Sequence, residues 1–278
     1  MIPFDFEYYK PETIEEATFL HADLSRKGKK PLYYGGGTEI ISMSRAYNVY
    51  TEAVIDIKGI PECNVLELKD NKLFIGCAVT LTQIAESNLF PLLSLAVKRI
   101  ADHTIQGKIT LGGNIAGTII YRESVLPILI SDSKIVVASV SGKKEVLLKD
   151  IFDKRIGLSE GELLEKIEVD ERFLYMPYLH VKRTKSDKID YPLITLTALK
   201  DDERINIAFS GVCDYPFRSS EIEDYLNDES MSSDIKINKI IDNIPGQILN
   251  DLVGSSDFRK FMLKGMLTEI IEKDWRNE

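Results

Sequence analysis

Tyr33-Tyr34-Gly35-Gly36-Gly37-Thr38-Glu39-Ile40 sets three successive glycines directly after a short β-prone run, Leu32-Tyr33-Tyr34. That order predicts a strand ending in a tight loop. Glycine reaches positive φ without steric cost and lets a backbone come close to a ligand, so the loop can turn its N–H groups onto an anion such as pyrophosphate. In a chain of formal charge -9, an anionic ligand depends on such local donors. Each hydrogen bond to a charged group contributes roughly 1.5–3 kcal/mol. Taken alone, a glycine triplet after a strand is more often a plain turn than a phosphate site.

Further along, Thr110-Leu111-Gly112-Gly113-Asn114-Ile115-Ala116-Gly117 repeats the theme. Here two glycines are expected to expose backbone donors, and Thr110 and Asn114 add side-chain partners for a phosphate or ribitol. Two donor-rich loops in one small unit suit a dinucleotide whose pyrophosphate is gripped from two sides. Neither loop has the spacing of G-x-G-x-x-G or of a Walker A sequence, which argues against a Rossmann or P-loop site.

Between and around the loops the chain alternates element types. Thr13 followed by Glu16 has the spacing of a capping box and predicts a helix running to about Lys27. Ala53–Ile57 and Lys72–Ala78 read as strands, the second after an Asp70-Asn71 turn, and Thr82 is expected to cap a helix through Ala85. Phe90–Ile100 carries apolar residues at helical spacing. Lys134–Leu148 reads as a hairpin about Ser141-Gly142, whereas Glu162–Val169 fits a helix or a strand by periodicity. Asp170-Glu171-Arg172 is the expected boundary between two domains. Beyond it, strands are expected around Leu193–Leu199 and Ile205–Phe209, helices at Glu221–Leu226 and Phe258–Ile271, and an exposed loop near Asp228–Asp234.

Composition removes several function classes. The acidic balance offers no sequence-wide basic face for nucleic acid, and the 278 residues include no apolar run long enough to span a bilayer. The start of the chain lacks the pattern of a secretory signal, so a cytoplasmic location is expected. Cys63, Cys77 and Cys213 are far apart and form no C-x-x-C pair, which leaves no metal or iron–sulfur ligand set on this chain. No catalytic acid–base triad is called for. His103, His21 and His180 read as structural residues, Cys77 as a buried small hydrophobe and Trp275 as a packing anchor.

The order GGGTEI, then ITLGGNIAG, then Arg122-Glu123-Ser124-Val125-Leu126-Pro127-Ile128-Leu129 resembles the FAD subunit of the molybdenum hydroxylases, the group of xanthine, CO and nicotinate dehydrogenases. Gly161–Leu164, Gly211-Val212, Pro216-Phe217-Arg218 and the stretch 251–259 resemble that family's C-terminal domain, so the likeness covers almost the whole chain. The resemblance implies an α+β protein. Residues 1–170 would form a two-lobed FAD-binding domain of the vanillyl-alcohol oxidase (PCMH) type, with lobes of about 1–58 and 59–170. Residues 171–278 would form a small domain of antiparallel sheet plus helices.

It also implies non-covalent FAD held by Tyr33, Tyr34, Gly35, Gly36, Gly37, Thr38, Glu39 and Ile40 and by Thr110, Gly112, Gly113 and Asn114. Glu123 takes the position of the acid that contacts the sugar part, Leu164 the apolar position beside the flavin ring, and Lys182 a basic position near it. The chain departs from the family at Gln106-Gly107, where Arg-Asn is usual, and at Glu123, where Asp is usual. Molybdopterin and [2Fe-2S] centres would lie on a large and a small partner subunit, with NAD or another acceptor taking the electrons. A stand-alone flavin reductase of the same fold and a FAD-free scaffold subunit are the competing readings.

Overall fold

The computed structural model describes residues 2–186 and 190–275. The chain opens with β1 (Glu7–Tyr9), α1 (Ile14–Arg26), β2 (Pro31–Tyr34), α2 (Thr38–Arg45) and β3 (Ala53–Asp56). The three strands form a parallel sheet in the order β1-β3-β2. Parallel pairing needs crossover connections, and α1 and α2 supply them. Helix α1 starts where the sequence indicates, Thr13 Oγ1 accepting from the Glu16 amide at 3.1 Å. The Glu16 carboxylate returns to the Glu12 amide rather than to that of Thr13, one residue earlier than a capping box requires.

A second, antiparallel sheet follows in the order β4-β5-β10-β6-β7. It contains β4 (Leu66–Lys69) and β5 (Lys72–Gly76), joined at Asp70 and Asn71, both with positive φ. Between β5 and its later strands lie five helices: α3 (Leu81–Ser87), α4 (Pro91–Val97), α5 (His103–Gln106), α6 (Leu111–Ala116) and α7 (Val125–Ile130). The sheet is completed by β6 (Lys134–Ser139), β7 (Gly142–Leu147) and, after the small pieces α8 (Leu148–Ile151), β8 (Phe152–Asp153) and β9 (Arg155–Ile156), by β10 (Leu163–Asp170).

The ambiguous stretch 162–169 is thus the central strand β10, buried along nearly its whole length. A strand covered on both faces has no polar alternation to reveal it. Helix α3 is capped by Thr80 with Gln83 in a full capping box, so the expectation of a Thr82 cap is wrong. Thr82 lies inside the helix, its hydroxyl buried without a partner.

The rest is an antiparallel sheet of β11 (Tyr178–Thr184), β12 (Pro192–Asp201), β13 (Arg204–Ser210) and β14 (Phe217–Arg218), followed by α9 (Ser220–Asn227), α10 (Ser233–Asp242) and α11 (Ser256–Ile271). One apolar core lies between this sheet and α9–α11 and includes Trp275. A larger one runs through the first two sheets and reaches Leu199 and Ala208, where α4 and α7 pack on β11, β12 and β13. Arg218 staples the contact, its guanidinium donating to the Leu129 carbonyl and to Asp132, both at 2.6 Å, while Glu223 takes its other edge. The architecture is α+β, with antiparallel sheets predominating. Strands β1, β4, β11 and β14 and helices α2, α5, α6, α7 and α10 are among the elements the sequence reading left out.

Candidate functional site

Strand β2 delivers the first glycine loop to the start of α2. Gly37 is the N-cap at φ 70° and supplies no capping side chain. The first bond of the helix is Ile41 N–H to Gly37 O at 2.9 Å, and the amides from Gly36 to Ile40 find no protein acceptor among the described residues. The first amides of any helix lack intrahelical partners, and the backbone dipoles concentrate positive potential there. Lys58 secures the loop from its carbonyl side, Nζ donating to Gly35 O at 3.1 Å and to Asp56 Oδ1 at 2.8 Å and lying 4.4 Å from the centre of the Tyr34 ring. Burial raises the Asp56 pKa, but its bonds from Lys58 and Tyr8 outweigh that and leave it below the ordinary carboxylate range.

The second loop lies against the first at backbone distance. A Cβ on Gly35 would sit 2.7 Å from Thr110 Oγ1, and one on Gly36 1.7 Å from the Lys108 carbonyl oxygen. These glycines are needed for loop to meet loop, not to clear room for a ligand. Glu39 adds a clamp: Oε1 accepts from the Thr118 amide at 2.7 Å and the Thr118 hydroxyl at 2.8 Å, and Oε2 from the Ile119 amide at 3.3 Å. A side chain on Gly117 would strike that carboxylate.

The donors of the second loop are already used, contrary to the sequence expectation. Leu111 N–H goes to Val79 O and Gly112 N–H to Cys77 O, both at 2.9 Å, while Asn114 N–H goes to Thr110 O at 2.9 Å. Gly113 N–H is taken by Thr110 Oγ1 at 3.2 Å. Gly112 is required because a Cβ would lie 2.5 Å from that of Cys77. Asn114 Oδ1 accepts from Ser124 Oγ at 2.6 Å, which leaves its amide nitrogen to serve a ligand.

The remaining sequence-picked residues divide. Tyr33 stacks on His21 and donates from its hydroxyl to Gly161 O at 2.9 Å, and burial raises its phenol pKa above the ordinary value. Leu164 is buried in β10, which bulges at the next residue, Glu165, against β6, and α6 packs on that strand. Glu123 and Lys182 are brought together, but onto each other. Both are almost fully buried, with Lys182 Nζ 2.8 Å from Glu123 Oε2 and 2.7 Å from Arg99 O. The other Glu123 oxygen accepts from Thr195 Oγ1 at 2.6 Å. Burial raises the Glu123 pKa against the opposing pull of Lys182. Gln106 donates to the carbonyls of Lys98 and Ala101, so it shapes the turn ahead of the second loop.

His103 is exposed at the start of α5. Lys58, Thr118 and Ile119 belong to the site although no sequence signal singled them out. Among the described residues no cluster of His, Cys, Asp or Glu has the make-up of a metal site, and no helix is long and apolar enough to cross a membrane.

A run of free amides at an uncapped helix start, braced from behind by a lysine, fits the pyrophosphate of a dinucleotide. Comparison with known proteins agrees. Residues 4–170 match the family model described as the FAD binding domain in molybdopterin dehydrogenase. The glyceraldehyde dehydrogenase medium chain of Sulfolobus acidocaldarius is 27% identical over 95% of this chain and 96% of its own length. The xanthine dehydrogenase FAD-binding subunit of Escherichia coli O157:H7 is 24% identical over 97% and 96%. The carbon monoxide dehydrogenase structure from Hydrogenophaga pseudoflava superposes with a TM-score of 0.85 over 97% of this chain and 96% of the matched one, at 22% identity. With its matched segment spanning both glycine loops, the chain belongs to the family of FAD-binding domains of molybdopterin dehydrogenases and is an oxidoreductase subunit.

Proposed function

We propose that this chain is the electron-transfer subunit of a molybdenum hydroxylase complex, taking electrons from [2Fe-2S] centres on a small partner subunit and passing them through FAD to NAD or another acceptor. The observation that carries FAD binding is the unpartnered run of amides from Gly36 to Ile40 at the start of α2. FAD, when bound, supplies the redox chemistry, and the protein supplies binding and orientation. In this reading Gly36, Gly37, Thr38, Glu39 and Ile40 donate their amides to the pyrophosphate. Thr110, Gly112 and Gly113 hold the first loop in place, and Asn114 offers its side-chain amide.

Tyr33, Tyr34, Gly35 and Leu164 form the walls, and the Glu123–Lys182 pair fixes the seam behind them. The chain divides near residue 170, the molybdenum cofactor resides on a large partner subunit, and the complex is cytoplasmic. The relatives named as a medium chain and as an FAD-binding subunit support such an assembly. The test is affinity purification from the native host. About one releasable FAD per chain, co-eluting with molybdenum and iron, supports the reading; colourless protein that cannot be reconstituted with FAD contradicts it.

A further inference from the structure

Beyond the two glycine loops, the segment leaving α6 reaches Arg122, a residue with a feature the flavin reading does not use. Its side chain is almost wholly buried, at 2% relative exposure. It donates only to two backbone carbonyls, Lys154 O at 2.6 Å and Gly117 O at 3.4 Å, and its Nε has no partner. The other well-buried arginines are neutralised: Arg218 by Asp132 at 2.6 Å and Glu223 at 2.7 Å, and Arg259 by Asp251 at 2.8 Å. Arg122 has no such carboxylate among the described residues. A buried charge persists at a cost unless a counter-charge meets it.

Arg122 lines an open cavity of about 370 Å³ together with Lys154, Arg155, Asp153, Asp214 and Tyr215. Lys154 and Arg155 are exposed and likewise without an ion-pair partner among the described residues. Lys154 lies over the Tyr215 ring at 5.2 Å. Arg155 is close enough to oppose the Arg122 charge, which burial already weakens, and Glu39 supports that charge without forming an ion pair, its carboxylate being bonded to Thr118 and Ile119. Arg122 also sits at φ 33° and Lys154 at φ 61°, left-handed conformations that are uncommon for non-glycine residues. The rim carboxylates Asp153 and Asp214 leave the lining with a small positive surplus and disfavour any anion that does not reach Arg122.

We propose that this cavity is an oxyanion site for a phosphate or pyrophosphate group of a nucleotide, with Arg122 as buried anchor and Lys154 and Arg155 as exposed arms. The site goes beyond the first loop's amides and is served by different residues. Its pyrophosphate has two possible sources, the FAD itself or a second phosphorylated ligand.

The experiment titrates inorganic pyrophosphate by calorimetry into the full chain, FAD-free and FAD-loaded, in wild type and in the Lys154→Gln/Arg155→Gln double variant. Both changes are at exposed positions, so thermal unfolding without ligand serves as the folding control. If FAD-loaded protein binds pyrophosphate and the double variant weakens this at least tenfold, the site is present and serves a separate ligand. If loaded protein does not bind it but the double variant weakens FAD binding at least tenfold, the site is present and serves FAD. A variant that folds and changes neither affinity more than twofold overturns the proposal. Loss of pyrophosphate binding in a chain that never takes up FAD would uphold this site while removing the flavin reading.

Discussion

From Gly36 to Ile40 the backbone presents consecutive amides with no acceptor among the described residues, whereas from Leu111 to Asn114 each amide already has one. Both regions are glycine-rich loops entering a helix, and they touch. They differ at the cap: Gly37 has no side chain to close α2, while Thr110 closes α6 and the loop beneath is tied to Val79 and Cys77. The first loop is therefore a donor site and the second its support. A glycine can be required for ligand approach or for backbone to meet backbone, and the neighbouring cap decides what remains for a ligand.

Gly36→Val gives the sharpest test of that division. Its Cβ would fall 1.7 Å from a backbone carbonyl that cannot rotate away. Overpacking of this kind costs about 1–3 kcal/mol or more. FAD retention should be lost together with a clear fall in Tm, as measured by flavin release and thermal unfolding. Normal flavin content would show that the loops do not meet as described.

A second test separates acid sensitivity from both loops. His180 is buried, its Nδ1 2.9 Å from Thr197 Oγ1 and its Nε2 unpartnered. Burial first, then Arg99 and Lys182, depress its pKa to about 3 from 6.5. The folded state therefore holds this imidazole neutral while the unfolded chain protonates it. Stability is fully present above pH 6.5 and falls as the pH drops from there toward 3, by about 1.4 kcal/mol per pH unit from this residue. Denaturant unfolding between pH 5 and 6.5 should show this slope reduced in His180→Gln. An unchanged slope would assign the acid sensitivity elsewhere.

The Glu39 clamp should have a smaller effect. Removing three hydrogen bonds at a partly exposed carboxylate in Glu39→Ala is expected to weaken FAD binding about tenfold, or about 1.4 kcal/mol, with the fold intact. Fluorescence titration measures this. Thr110→Ala should lower stability by about 1 kcal/mol through loss of the α6 cap. If the second loop only supports the first, FAD affinity in that variant should change by no more than about threefold. A larger loss of affinity than in Glu39→Ala would reverse the roles given to the two loops.

Much of this was legible in the sequence where one local rule acted alone. The Thr13 cap, the hairpin at 134–148 and the triplet ending β2 depend on neighbours in the chain, and each formed. Reading failed where tertiary contacts decided. Strand β10 is buried on both faces and shows no alternation. Thr80 and Gln83 carry the capping signal that was assigned to Thr82. Nothing local shows that Glu123 turns onto Lys182 across 59 residues, or that Lys58 reaches back 23 residues to hold Gly35. The unused amides of the first loop and the spent amides of the second are equally invisible in GGGT and TLGG. They depend on what each loop packs against.

Amide hydrogen exchange by mass spectrometry, with and without FAD, tests the division between the loops most directly. The account predicts that amides 36–40 exchange quickly in the free chain and become protected when FAD is added, while amides 111–114 are protected in both states. Protection appearing on FAD binding at 111–114 and not at 36–40 would contradict it.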